Sequence, residues 1–171
     1  MKNIILSLAL AALACGTSIA QQPEATVPTP PPAVVNVGEE LQKLDFLNDA
    51  RPAADAKFYV YLCSASWCPP CRATMPGIVK EYANIKAAGG EIILLCFDRT
   101  PQAGAAYVKN YKIGFAAIMT DFKKMPTLKM PGFFPPRGIP NISIVSADGK
   151  VLYRGHGENL LKWKEILKGK I

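Results

Sequence analysis

One histidine, His156, is all that 171 residues provide. That scarcity bears on metal chemistry, because a closed zinc site takes four ligands and beyond the cysteines only His156 is spare. Long apolar runs are missing too. The leading stretch Ile4–Ala14 falls well short of the ~20 residues that cross a bilayer as a helix. Internal repeats are absent. Basic residues outnumber acidic ones, 20 to 13, for a formal charge of +7. The positive charges are nevertheless scattered among acids, and no basic stripe is interleaved with aromatics. The pattern predicts a solvated surface with weak attraction for acidic partners, and no nucleic-acid site. Half of the residues are apolar, enough for one domain with a proper core.

Residues 1–20 carry the marks of a signal peptide. Lys2 supplies a positive start, Ile4–Ala14 an apolar centre, and Ser18-Ile19-Ala20 a small-residue cleavage pattern. Residues 21–38 form a Pro-rich linker with Pro23, Pro28 and the run Pro30-Pro31-Pro32, an extended and semi-rigid tether. The folded domain is expected over residues 39–171, and the protein is expected to be exported, periplasmic or extracellular. Leu13-Ala14-Cys15 loosely resembles a lipid-acylation site, but Ala12 stands where leucine is usual. Cleavage after Ala20, which discards Cys15, fits better.

Four cysteines follow the leader: Cys63, Cys68, Cys71 and Cys96. Small exported domains often use cysteines as staples. Here only one pair shows a short spacing, and a core of this size needs no staple. The stretch Trp67-Cys68-Pro69-Pro70-Cys71-Arg72 follows an apolar β-type run and opens a helical pattern. Two cysteines separated by two residues at such a junction are the chemical core of a dithiol/disulfide exchanger.

Cys68 falls at the N-cap with Pro69 at the first helical position, which proline tolerates well. The helix N-terminus favours an anion there and so stabilises the Cys68 thiolate. Pro69 and Pro70 have no N–H, which leaves the Cys71 amide as the donor to the Cys68 sulfur. Cys68 is therefore expected to be the exposed nucleophile and Cys71, one turn in, the resolving thiol. No histidine lies between the cysteines, and strongly oxidising couples rely on heavily stabilised thiolates. A mildly perturbed Cys68 and a reducing couple are expected, with the nearby Arg72 acting in the opposite direction.

Elements can be placed around this motif. Leu41, Leu44 and Leu47 have helical spacing over Glu39–Asn48. Lys57–Ser64 and Glu91–Phe97 read as central strands buried on both faces. Between them, Met75, Ile78, Val79, Tyr82 and Ile85 line one face of a helix that contains Pro76, where a kink is expected, and ends at Gly89-Gly90. Another helix is expected over Gln102–Tyr111. Ile142–Ser146 and Lys150–Arg154 flank Asp148-Gly149 as a β-hairpin, and Leu160, Trp163 and Leu167 form the packing stripe of a last helix.

That order, with a redox pair at a strand-to-helix turn, resembles the thioredoxin fold: an α/β architecture whose mixed central sheet has helices on both faces and ends in a β-hairpin and helix. The segment Ser64-Ala65-Ser66-Trp67-Cys68-Pro69-Pro70-Cys71-Arg72 resembles tryparedoxin and nucleoredoxin. The wider layout is similar to bacterial exported thiol-disulfide oxidoreductases, and Pro76, five residues after Cys71, matches the thioredoxin pattern. The likeness covers residues 39–171. It implies that Gly138-Ile139-Pro140 is a cis-proline loop facing the two cysteines, with Ile139 and Pro140 binding substrate. Trp67, beside the nucleophile, is a further candidate for substrate contact. Two departures stand out. Leu62 occupies the place of the buried acid common in thioredoxins, and the lysine partner of that acid is replaced within Ile92–Leu95. Tryparedoxin and nucleoredoxin are also intracellular, so their electron donors do not carry over.

Other residues have plainer readings. Cys63 and Cys96 are expected to be small buried hydrophobes, with pairing or an auxiliary redox site as the alternative. His156 reads as a loop residue rather than a catalytic base. Phe133 and Phe134 either form an apolar shelf for peptide substrates or cap the core. The whole points to an exported reductase of protein disulfides, a monomer without cofactor or bound metal, recharged by a membrane thiol-electron carrier, the last by analogy alone. The alternatives are a thiol peroxidase, against which Ala65 replaces the Thr or Ser found three residues before the peroxidatic cysteine, a Cu(I) module using Cys68 and Cys71, and a tethered interaction domain with a permanently oxidised pair.

Overall fold

The computed structural model describes residues 35–171, so the expected signal peptide, and the expected linker as far as residue 34, lie outside the described residues. Two runs dominate the interior: β1 (Phe58–Ser64) and β2 (Gly90–Cys96), each buried at all seven positions. Strands apolar on both faces must be covered on both, which makes them the centre of a sheet. They pair in parallel, Phe58 opposite Gly90 through Ser64 opposite Cys96. The full sheet has the order β3-β2-β1-β4-β5, with β3 (Ala116–Met119), β4 (Asn141–Ser146) and β5 (Val151–His156). β3 runs parallel to β2, while β4 is antiparallel to β1 and β5 to β4. This is the thioredoxin fold, a mixed sheet closed by a hairpin and a C-terminal helix. The edge strand β3 adds to the expected order; its four residues, Ala-Ala-Ile-Met, are too few to carry a period.

One sheet face carries Phe58, Val60, Leu62, Ile92 and Leu94, onto which α2 (Pro69–Ala87) lays Met75, Ile78 and Ile85. α2 runs on through Pro76, whose missing N–H removes one helical donor. Tyr107 of α3 (Pro101–Asn110) joins the same face, and Thr100 caps that helix by accepting from the Ala103 N–H at 3.2 Å. The expected C-terminal stripe of Leu160, Trp163 and Leu167 is buried. Its first half is a 3-10 turn, Gly157–Lys162, before α4 (Trp163–Leu167). Trp163 stacks on Phe58 with ring centroids 6.0 Å apart, and its Nε1 donates to Glu81 at 2.9 Å.

The opposite face, with Tyr59, Tyr61, Cys63, Ile93 and Leu95, is covered by α1 (Val37–Leu41), Met125 and Met130. The expected helix over 39–48 is thus shorter and earlier. It starts where Asn36 accepts from the Glu39 N–H and is over by Leu41. Beyond it the backbone follows the sheet edge instead: Leu47 N–H donates to the Ala117 carbonyl, and the Asn48 side chain bridges Phe115 and Ala117. These pairings compete with helical hydrogen bonds and win.

Trp163→Ala should remove the lid over Phe58 and leave a cavity, lowering stability by about 3–5 kcal/mol. Chemical denaturation should show a lower midpoint at unchanged slope.

Candidate redox site

β1 ends at Ser64 at the C-terminal edge of the parallel strands, where open α/β sheets place their sites. The chain turns there, with the Cys68 N–H donating to the Ala65 carbonyl at 3.3 Å, and α2 begins. Cys68 is the N-cap, in extended conformation, and its Sγ accepts from the Cys71 N–H at 3.3 Å. Pro69 and Pro70 leave no other first-turn donor within the motif. Cys68 and Cys71 are joined as a disulfide, with Cα atoms 5.2 Å apart, inside the usual range for such a bond.

The exposed nucleophile expected at Cys68 is not found. Only 3 % of Cys68 is accessible, against 1 % of Cys71, so the order of depth is kept but both are covered in the oxidised state. Ile139, which packs against the cluster that holds both cysteines, contributes to this cover, and Trp67 flanks the motif in sequence. Trp67 is 53 % exposed and holds its ring edge to the protein by donating from Nε1 to the Phe97 carbonyl at 3.0 Å. Across from it lies Ile139, joined to Pro140 by a cis peptide bond, with its carbonyl oxygen 3.8 Å from Cys68 Sγ.

An acid that sequence reasoning passed over holds the turn in place. Asp98, just beyond β2, is buried and accepts from the Ser66 N–H at 3.1 Å, from the Ser66 hydroxyl and from the Cys96 thiol at 3.1 Å. Leu62, where the resemblance puts a buried acid, is apolar and pairs with Leu94 on β2 and Ile142 on β4. The signal for Asp98 was its place in Phe97-Asp98-Arg99, where an apolar strand ends at the functional edge.

Cys63 and Cys96 are free and buried, and burial pushes both thiols up to about 12. Strand alternation sends them to opposite faces, Cys63 beneath Cys68 and Cys71, Cys96 among Leu94 and Tyr107. They cannot pair. The two phenylalanines divide as well: Phe133 meets the Tyr61 ring edge-on at 5.7 Å, whereas Phe134 stands in solvent under the Arg154 guanidinium at 4.8 Å. His156, which no sequence distance could place, ends β5 opposite Asn141. It lines a groove of about 230 Å³ with Pro70, Thr74, Ile139, Pro140 and Glu158. On the other flank of α2, Arg72 lines a hollow of about 610 Å³ with Ser66, Tyr107 and Asn110.

Among the described residues no three His, Cys, Asp or Glu side chains gather in metal-ligand geometry, and no helix is long and apolar enough to cross a membrane. Thiol labelling of the reduced native protein at about pH 8 should leave Cys63 and Cys96 unmodified, since a thiol raised this far stays protonated there. Both should react once the protein is unfolded.

Comparison with known proteins places this site in a lineage. The chain is 33% identical over 93 residues to a thiol-disulfide oxidoreductase ResA of Bacillus thuringiensis subsp. konkukian, an alignment covering 54% of this chain and 51% of that protein. With nucleoredoxin of Xenopus laevis the identity is 31% over 93 residues, covering 53% of this chain and 22% of the relative. The chain thus spans about half the length of the first of these and about a fifth of the second. The solution structure of a thiol:disulfide interchange protein from Bacteroides sp. shares the fold, with a TM-score of 0.55 and 20% identity over 65% of this chain and 72% of that one. A family described as thioredoxin-like matches residues 55–151, β1 through the hairpin turn with the cysteine pair inside. Matched over more than half its length, the chain belongs to the thioredoxin-like family.

Proposed function

We propose that this protein is an exported reductase of disulfides in protein partners. One observation carries the reading: a vicinal cysteine pair at the start of α2, its outer sulfur bonded by a single backbone N–H and set beside the open carbonyl of Ile139. In the reduced form the Cys68 thiolate attacks one sulfur of a partner disulfide. The partner's second sulfur leaves as thiolate and takes a proton. Cys71, deprotonated, then attacks Cys68 Sγ, forming the Cys68–Cys71 bond and releasing the partner's first sulfur as the second thiol. Two electrons pass from the enzyme pair to the partner, and a dithiol donor restores the enzyme.

Ile139 and Pro140 bind the partner backbone, the Ile139 carbonyl accepting an N–H, and Trp67 offers an exposed ring beside the sulfur. Since the oxidised pair is nearly covered, a partner seats between Trp67 and the Ile139–Pro140 loop before sulfur meets sulfur. The direction of transfer rests on how little holds the thiolate. One N–H donates to it, no cation lies between the cysteines, and Arg72 is exposed, where solvent and salt screen its charge. Export is supported by the leader pattern of residues 1–20, and a membrane thiol-electron carrier is the donor suited to that location. The names of the matched relatives, a thiol-disulfide oxidoreductase and nucleoredoxin, are in keeping with exchange chemistry.

Cys71→Ser should trap partners as mixed disulfides on Cys68, released by dithiol, while Cys68→Ser should trap none and reduce nothing. Recovery of partners on Cys71 instead would reverse the assigned roles. Equilibration against glutathione should give a potential nearer the about −270 mV of a thioredoxin than the about −120 mV of a strong oxidant. A value at the oxidising end would make the protein a donor of disulfides.

A further inference from the structure

The groove beside Pro140 has a chemical bias of its own. Its walls are Pro70 and Thr74 from α2, Ile139 and Pro140 before β4, and His156 and Glu158 after β5. Gly157 lets the last wall close in: its N–H donates to the Pro140 carbonyl at 3.2 Å, and a Cβ there would lie 2.6 Å from the Pro140 Cβ. Apart from the exposed His156 ring, which can both donate and accept, the polar groups around the groove are acceptors or spent donors. The Thr74 hydroxyl already donates to the carbonyls of Pro70 and Cys71. The Ile139 carbonyl faces Cys68, and Glu158 is an exposed carboxylate with no cation in ion-pair range among the described residues. The Ile139 carbonyl and the Glu158 carboxylate therefore suit a ligand that donates, with an N–H to the first and a cationic group to the second. The cationic side of the site lies elsewhere, at Arg72 in the hollow facing α3.

We propose that Glu158 is a specificity-determining residue that selects disulfide partners bearing a lysine or arginine next to the reactive cysteine. The partner strand lies along the Ile139–Pro140 loop, and its basic side chain extends through the groove to the carboxylate. The apolar walls of Pro70 and Pro140 take the methylene stem while the charged head reaches the rim. This rests on the reductase reading above. The contact is solvent-exposed, so it contributes selectivity rather than tight binding.

The test uses the pre-reduced protein and two synthetic peptides with one intrachain disulfide, identical except for Lys or Gln beside the attacked cysteine. Stopped-flow rates at low ionic strength should favour the Lys peptide by about 2- to 5-fold. The ratio should fall to one as salt rises to about 1 M. In Glu158→Gln the ratio should already be one, and in Glu158→Lys it should invert. Glu165→Gln, which removes an exposed carboxylate from α4, controls for net charge and should keep the wild-type ratio. Equal rates for both peptides in the wild type, or a preference that survives Glu158→Gln, would overturn this inference alone. Failure to reduce either peptide would overturn the reductase reading and this inference with it.

Discussion

Two adjacent strands that tolerate no water on either face govern this structure. β1 and β2 are buried at every position, so layers must form above and below them, and their parallel pairing requires a crossover helix. That helix is α2, and it has to start where β1 ends. The reactive pair is therefore a by-product of connectivity as much as of composition: the cysteines occupy the only turn that joins the central strand to its crossover. The same register that sets Ser64 beside Cys96 brings the two strand ends together, so that Asp98 can hold the Ser66 turn from the neighbouring strand.

The site has sparse electrostatics. A capping sulfur normally draws on several free amides at a helix start, and here prolines occupy two of those places. The remaining amide, from Cys71, ties the two cysteines to one another as well as stabilising the outer one. Charge enters from the flanks instead, a guanidinium on the side of α3 and a carboxylate on the side of β5.

What could be seen in advance was local in origin. The N-cap role of Cys68, the Cys71 amide as its donor, the buried face of α2 and the turn at Asp148-Gly149 all follow from neighbours within a few residues. Asp98 stands in the sequence as an acid at a strand end, but its role is not legible there, because its partners, Ser66 and Cys96, come together only when β1 and β2 align. His156 could not be placed for the same reason, its position being set by pairing with Asn141 across the hairpin. α1 was misjudged because edge pairing at Leu47 and Asn48 outweighed a helical spacing of leucines. The cover over Cys68 is a tertiary effect as well, supplied by a proline loop 71 residues further along the chain.

That cover turns the oxidised sulfurs into a guarded bond. The Ile139 carbonyl stands 3.8 Å from Cys68 Sγ, and little of either sulfur's residue meets solvent. Access to that bond is thereby a matter of rate: a small thiol should come to equilibrium with it, and slowly.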